Sequence, residues 1–379
     1  MKKSLFFILS LVLISSYLKA QPYGNEWINN SQKYYKIKIA QNGVYRISYT
    51  TLLNAGISIS SFDPRNFQIF NNGVEQKIFI QGENDGVFDN TDFIEFYAEK
   101  NTGALELPLY YNTSFVPNPY YSLVNDTAVY FLTWNASFSN ARMASETDVS
   151  FSSYSPNSFV FREEIQSYSG AYYAGETDQA GGTNARYVAS EGYFDSQVLT
   201  LGSSLQKNIS TTNLYTSGPY AKIECVVVGA SQDFYTLSQG LPDHHLKIEF
   251  KANNASGYNL FRDTLFKGYA TNKFTSVISP SLLGNASTTS TMFNVTSVND
   301  PSWTSNRTVI SYIKVKYPHI LDFESRSDYL FYLPDATTQT KSYLQISNFA
   351  GSGTARLYNL TNGTRIDIPK LVNTYYALV

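Results

Sequence analysis

Residues 81–100 read QGENDGVFDNTDFIEFYAEK, an acidic, glycine-containing turn that runs straight into an aromatic strand. In the first half, Asn84-Asp85-Gly86 groups residues that tolerate positive φ, which marks a tight turn. The second half alternates at period two, with Ile94, Phe96 and Ala98 on one face and Phe93, Glu95 and Tyr97 on the other. This predicts a strand with one buried face, and it puts Glu95 at the surface beside the turn rather than in the core.

The turn also matches part of the calcium-loop template, which sets acidic residues at alternate positions around a glycine at the sixth. Gln81, Glu83 and Asp85 fall at positions one, three and five, Gly86 at six, and Asp89 and Asp92 at nine and twelve. Calcium takes about six to eight hard oxygens, so alternate carboxylates on a tight turn suit it. Glu83, Asp85, Asp89 and Asp92 are therefore the candidate ligands of a structural calcium. Gln81 is a weak first ligand, Asp92 stands where the template has a bidentate Glu, and no helices are expected on either side. The competing reading is a solvated acidic turn without an ion.

Upstream, residues 35–39 alternate and are followed by Gln41-Asn42-Gly43 and a second alternating run at 44–49, which reads as a hairpin with an Asn-Gly turn. Thr50 is placed to cap one or two helical turns that Gly56 ends. Residues 67–70, Asn72-Gly73 and 77–80 read as another hairpin that delivers the chain to the acidic turn. Residues 128–134, AVYFLTW, are nearly all apolar, as in the central strand of a sandwich.

Composition then shifts to small and polar residues over 144–157, which marks a domain boundary. Beyond it, strand-like runs at 159–165, 186–194, 222–228, 246–250, 273–278, 309–317, 329–333 and 343–346 are separated by Asn, Gly and Ser loops. A last hairpin turns at Thr361-Asn362-Gly363. The fold class this implies is all-β, as two consecutive β-sandwich or jelly-roll-like domains with at most short helices. The boundaries are a leader over 1–20, a β domain with the acidic turn over 21–143, a linker over 144–158, a second sandwich over 159–350, and a hairpin over 351–379 leading toward a further C-terminal domain.

The leader has Lys2 and Lys3, an apolar run over 5–14 and Leu18-Lys19-Ala20 before Gln21, the pattern of a secretory signal peptide. No cysteine follows that run, so a lipoprotein anchor is not expected, and no later segment has the ~18 apolar residues of a membrane helix. The chain is thus expected to be exported, to the periplasm, the outer-membrane surface or beyond. A formal net charge of −2 with 15% charged residues leaves no basic footprint for nucleic acid. Tyrosine (31) and phenylalanine (25) are heavily used, which fits an extracellular β protein. Cys225 is the single cysteine, so stability has to come from core burial without an internal disulfide.

A catalytic centre is hard to assemble from these residues. Cys225 shares a strand face with Ile223 and Val227, which reads as a buried packing residue. The histidines His244, His245 and His319 sit in unrelated segments, and adjacent His244 and His245 would point to opposite sides of a strand, read here as a solvated strand end. Glu163, Glu164, Glu176, Asp178, Glu191 and Asp195 lie close in sequence to Tyr172, Tyr173, Tyr187 and Tyr193. Such a set would suit a sugar site, or the paired acids of a glycosidase, while ordinary surface acids explain it equally.

Several stretches resemble the region ahead of the protease domain in gingipain-like cysteine peptidases, a family that includes the type IX secretion sortases of the Bacteroidota. They are Asn42-Gly43-Val44-Tyr45-Arg46-Ile47, the block from Gly86 to Tyr97, Pro119-Tyr120-Tyr121-Ser122-Leu123, and Tyr130-Phe131-Leu132-Thr133-Trp134. Further on, Ser190-Glu191-Gly192-Tyr193-Phe194 is similar to the family's Gly-Glu-Gly-Trp-Phe element, and 312–318, Asp322-Phe323 and 357–363 are similar to its last segments before catalysis. The order is preserved. The resemblance implies a non-catalytic accessory region whose partner is a C-terminal caspase-like protease domain, and the family's catalytic residues map to no position here. The end of the chain, Tyr375-Tyr376-Ala377-Leu378-Val379, has no polar tail, which is read as a stop short of that domain. The alternative is a stand-alone surface module that binds cell-envelope proteins or glycans.

Overall fold

Short alternating segments closed by Gly, Asn and Ser give strands rather than helices, because each buries only one face and breaks before a helical period can develop. The computed structural model describes residues 24–59, 62–135, 139–178, 180–285, 288–300, 306–335, 338–351 and 353–379. The leader expected at 1–20 lies outside the described residues. Among them the α-helices are two short segments, α1 (Tyr49–Asn54) and α2 (Phe234–Ser238), and no helix is long and apolar enough to cross a membrane.

The chain divides into two units, one comprising residues up to Lys100 with Thr127–Met143, the other Asn101–Asp126 with Ala144–Val379. In the first, β1 (Tyr35–Ile39), β2 (Gly43–Ser48), β3 (Phe67–Asn71), β4 (Val74–Glu75), β5 (Phe79–Gln81), β6 (Phe93–Ala98) and β7 (Ala128–Trp134) form two sheets, ordered β1-β7-β3-β4 and β2-β6-β5. Both contribute to one core that includes Ile39, Ile47, Phe67, Ile69, Ile80, Ile94, Phe96 and Leu132. Each such side chain taken out of water contributes about 1.5–3 kcal/mol before entropy is counted. As expected, the apolar β7 is central, between β1 and β3.

The two Asn-Gly pairs behave differently. At Asn72-Gly73 both residues take positive φ, 47° and 80°, and β3 and β4 close as a hairpin. Gly43 is not at positive φ, Asn42 Oδ1 accepts the Lys100 amide at 2.9 Å, and the chain passes from β1 in one sheet to β2 in the other. The expected hairpin at Asn42-Gly43 is therefore corrected to a crossover, since a two-residue hairpin turn of this type needs the left-handed backbone it lacks. The segment after β4 likewise leaves for the other sheet, where β5 pairs with β6. Ser48, not Thr50, caps α1, accepting the Thr51 amide at 3.2 Å.

Glu95 is also corrected, because it is buried rather than at the surface. Its register partner across β2 and β6 is Arg46, whose Nε and Nη2 reach Glu95 Oε1 at 2.9 and 2.6 Å while the guanidinium lies 4.0 Å above the Phe93 ring. An ion pair roofed by aromatic carbon lets a carboxylate leave water.

The second unit contains β8 (Ala144–Glu146), β9 (Val160–Ser167), β10 (Ala171–Ala174), β11 (Glu191–Phe194), β12 (Ser204–Ser210), β13 (Ala221–Gly229), β14 (His244–Ala252), β15 (Asn259–Phe266), β16 (Thr271–Ile278), β17 (Ser290–Ser297) and β18 (Thr308–His319). It continues with β19 (Asp322–Arg326), β20 (Tyr343–Phe349), β21 (Ala355–Asn359), β22 (Thr364–Ile368), β23 (Lys370–Leu371) and β24 (Thr374–Leu378). Sheets β12-β17-β14-β15 and β16-β13-β18-β9 share the largest core. The outer side of β13 and β18 carries Val226, Val228, Val309 and Tyr312, which pack with Phe194 and with the partly buried Tyr120 and Tyr173. A third core lies among β19-β20-β24-β23 and β21-β22-β8. Residues 329–333, expected as a strand, make only an isolated bridge from Tyr332 to Phe161.

Candidate functional site

The acidic turn is built by two glycines. After β5, Gly82 at φ +87° and Gly86 at φ +76° bracket a 3-10 turn over Glu83–Asp85. A Cβ on Gly82 would fall 1.9 Å from Asp92 Oδ1, so only glycine lets the chain pass over that carboxylate. Glu83 Oε2 pairs with Arg142 Nε at 2.9 Å, and the same guanidinium donates to the carbonyls of Phe67 and Arg65. Asp85 Oδ1 accepts the Val87 amide at 2.9 Å. Asp89 Oδ1 accepts both the amide and the hydroxyl of Thr91 at 2.8 Å, and these bonds hold its carboxyl below the usual carboxylate range. Buried Asp92 accepts the Asp89 amide at 2.9 Å. Each of the four candidate ligands thus already serves the turn or Arg142, and an ion would exchange with those bonds. Among the described residues no group of three or more His, Cys, Asp or Glu is gathered as a metal site.

The second cluster forms on the two-stranded ribbon of β10 and β11. Tyr172 and Tyr193 are register partners whose rings meet edge-on, centroids 5.5 Å apart, and the tilted Tyr121 ring lies 6.4 Å from Tyr193. The 3-10 helix over Ala104–Leu109 ends against Tyr187: the Tyr111 amide donates to Tyr187 O at 2.8 Å, the Tyr187 amide donates to Leu109 O at 3.1 Å, and the Tyr110 and Tyr187 rings are 5.1 Å apart. Arg186 sits 5.3 Å from the Tyr111 ring and donates to Tyr110 O at 2.8 Å. Glu191 ties these parts together. It accepts the Tyr172 hydroxyl on one oxygen and the Val188 amide on the other, at 3.0 Å, while its carbonyl accepts the Tyr110 hydroxyl at 3.3 Å. Burial and then the Glu191 carboxylate push the hydroxyls of both Tyr110 and Tyr172 well above the ordinary tyrosine range.

Of the acids read with these tyrosines, only Glu191 joins them through a side-chain bond that the structure records. Glu163 lies 3.8 Å from Lys314, Glu164 pairs with Arg162 at 2.7 Å, Asp178 accepts amides of its own turn, Glu176 is exposed, and buried Asp195 pairs with Lys207. Tyr173 turns inward and meets Phe194 edge-on at 5.7 Å. Tyr110, Tyr111, Tyr121 and Arg186 were not in the expected set. The density of tyrosine over 110–121 is the one signal that points to the three tyrosines, and none points to Arg186.

Cys225 is fully buried, as expected, and burial followed by the nearby Glu224 charge pushes its thiol up to about 12. A thiolate nucleophile needs the opposite environment. His244 is corrected from a solvated strand end to a core residue: its ring stacks on Phe266 at 4.5 Å and Nδ1 meets Asp243 Oδ1 at 2.9 Å. Asp243 also accepts the amides of Asp233 and Gly268 at 2.8 and 2.7 Å, and His244 Nε2 lies 3.2 Å from Arg307 O and 3.5 Å from Ser231 Oγ. The Asp243, His244 and Ser231 side chains thus line up, but the imidazole is sealed and its outer nitrogen faces a carbonyl as well as the long serine contact. The arrangement knots the loop before α2 to β14. His245 pairs with Asp263 at 2.6 Å, and buried His319 with Tyr329 at 2.9 Å.

No protein-family model matches the chain, and no curated protein does. Among solved structures, its all-β, multi-sheet fold is similar to that of dimeric latent PorU from Porphyromonas gingivalis, with a TM-score of 0.54 at 12% identity over 91% of this chain. The likeness is one of fold, and the chain spans 30% of the PorU chain. Two further structures match loosely and carry no argument: a β-porphyranase of glycoside hydrolase family 86 from Bacteroides plebeius (10% identity, 77% of this chain and 35% of that one, TM-score 0.21), and the VP2 subviral particle of infectious bursal disease virus (10%, 83% and 77%, TM-score 0.25).

Proposed function

We propose that this chain is the non-catalytic accessory region of an exported gingipain-like cysteine peptidase or type IX secretion sortase-like protein, with bond cleavage carried by a C-terminal domain outside these residues. The observation that carries the reading is the PorU likeness, which runs through nine-tenths of this chain and under a third of that one. Most motifs of the sequence resemblance support it by where they fall, on β2, on the acidic turn and β6, on β7, on β11, on β18, on β19 and on the hairpin of β21 and β22, while Pro119-Tyr120-Tyr121-Ser122-Leu123 lies in a loop. They are framework segments, and the mechanism they suggest is packing and control of access. The sealed Cys225 agrees, since a buried thiol held protonated cannot attack a peptide bond.

The test is to read the encoding locus past Val379 and to assay the chain by itself. An open frame continuing into a caspase-like domain with His and Cys at strand ends is the expected result. It should be accompanied by no peptidase activity and no alkylation of native Cys225 by iodoacetamide. A stop codon directly after Val379, or a native chain that cleaves peptides and is silenced by alkylation, would overturn the reading.

A further inference from the structure

Packing does not account for the tyrosine ribbon. A tyrosine ring gains by burial, yet Tyr172 stays 49% and Tyr111 62% exposed, with Tyr187, Tyr193 and Tyr121 half-buried beside them. The rings are held in place. Tyr172 is fixed through its hydroxyl to Glu191, while the Arg186 guanidinium lies against the Tyr111 ring and the Tyr111 backbone amide donates to Tyr187 O. The backbone beneath is equally constrained: Ser190 sits at φ +60° with its hydroxyl donating to Tyr269 O at 2.9 Å, and a Cβ on Gly175, at φ +72°, would come 2.6 Å from Ala189 O. A rigid surface of exposed amphipathic rings loses little conformational freedom when it binds.

We propose that this ribbon is a glycan-binding platform, on which the apolar faces of sugar rings stack on the exposed rings of Tyr172 and Tyr111 while Arg186 takes up hydroxyls at the ring edges and Glu191 holds Tyr172 from behind. Sugars present the required combination, a C–H face and a rim of donors and acceptors, and tyrosine matches it with a ring face and a polar tip. One cation and one anion among the rings favour a neutral chain over a polyanion. Nucleic acid would need a basic stripe, against a formal net charge of −2. The rival is a protein partner, for which the exposed Leu105, Leu107 and Leu109 on the adjoining 3-10 helix would be the anchor. The platform does not depend on the accessory role proposed above.

The experiment is affinity electrophoresis of the purified chain through gels containing laminarin, xylan, galactomannan, pullulan or alginate, with scattering measurements of mass alongside. We expect retardation by at least one neutral polysaccharide. Tyr172→Ala should weaken it at least ~10-fold in a chain that remains folded at the assay temperature, and Tyr172→Phe, which keeps the ring, by no more than ~3-fold. Tyr111→Ala, on a separate segment, gives a second reading if Tyr172→Ala fails to fold. Retardation by none of the four neutral polysaccharides, retardation by alginate alone, retardation unaffected by both alanine variants, or a self-association that Tyr172→Ala abolishes would overturn the proposal.

Discussion

The acidic turn and the tyrosine ribbon use similar materials to opposite ends. Both combine carboxylates with aromatic rings, and both run over a glycine that admits no side chain, Gly82 in one and Gly175 in the other. In the turn the aromatic ring is inside, with Phe88 buried, and the acids bond to the turn that carries them or, for Glu83, to Arg142. In the ribbon the acid works behind the ring, as Glu191 holds Tyr172 while the ring stays outside. The density of acids in a motif therefore says less about a ligand than which groups are left facing out in a fixed position.

The contrast can be broken at several points. The largest effect is expected for Gly82→Ala, which meets both a left-handed backbone and the Asp92 carboxylate, and should cost the first unit about 3 kcal/mol or more. Urea unfolding followed by the fluorescence of Trp27 and Trp134 reads it, and a loss under about 1 kcal/mol would mean the turn is soft. Glu191→Ala should cost the second unit about 1–2 kcal/mol by stranding the Val188 amide and the Tyr172 hydroxyl. An unchanged urea midpoint would remove the claim that the ribbon is held in advance.

Acid should then loosen the turn late. The folded pKa of Asp89 is depressed, so its contribution is complete above the unfolded value near 3.8 and is lost as pH falls through the lower folded value. The Thr91 amide resonance should therefore hold its position at pH 4 and move only below it. Calcium is expected to do least. Because Glu83, Asp85, Asp89 and Asp92 are already engaged, millimolar calcium should raise the thermal midpoint by about 1 °C or less. A larger rise that Asp85→Asn with Asp89→Asn abolishes would make the turn a metal site and erase the contrast.

Much of the fold was legible where one strand face is purely apolar. β14 reads HHLKIEFKA and is buried at every second residue, and AVYFLTW is indeed a central strand. β17 was missed because its inward positions are Thr291, Phe293, Val295 and Ser297, and hydroxyls bonded inside the core, such as Thr291 to Thr211 at 3.0 Å, blur the apolar period. Local pattern also cannot say which sheet a strand enters, so Asn42-Gly43 reads like Asn72-Gly73 although only the second adopts the left-handed turn. Glu95 and His244 read as solvated because their partners are invisible locally: Arg46 lies on another strand, and Phe266 and Gly268 come back beside His244 only when β15 pairs with β14. For the ribbon, Glu191 with Tyr172, Tyr187 and Tyr193 was legible as a neighbourhood in sequence. The contribution of 110–121 was not, because it arrives by pairing across some eighty residues.

The parallel pairing of β8 with β22 sets an order of events in time. Ser145 lies opposite Arg365, so the earliest strand of the second unit waits for one of its last. During synthesis that sheet closes only after nearly the whole unit has been made, and such distant pairing is slow to form. A chain interrupted before Thr364 would leave β8 with a bare edge and Phe323, Leu344 and Ile346 without the cover of Ile366, Ile368 and Tyr375. Closure of this sheet therefore marks a finished unit, and its failure would expose to proteases a surface that a finished chain hides.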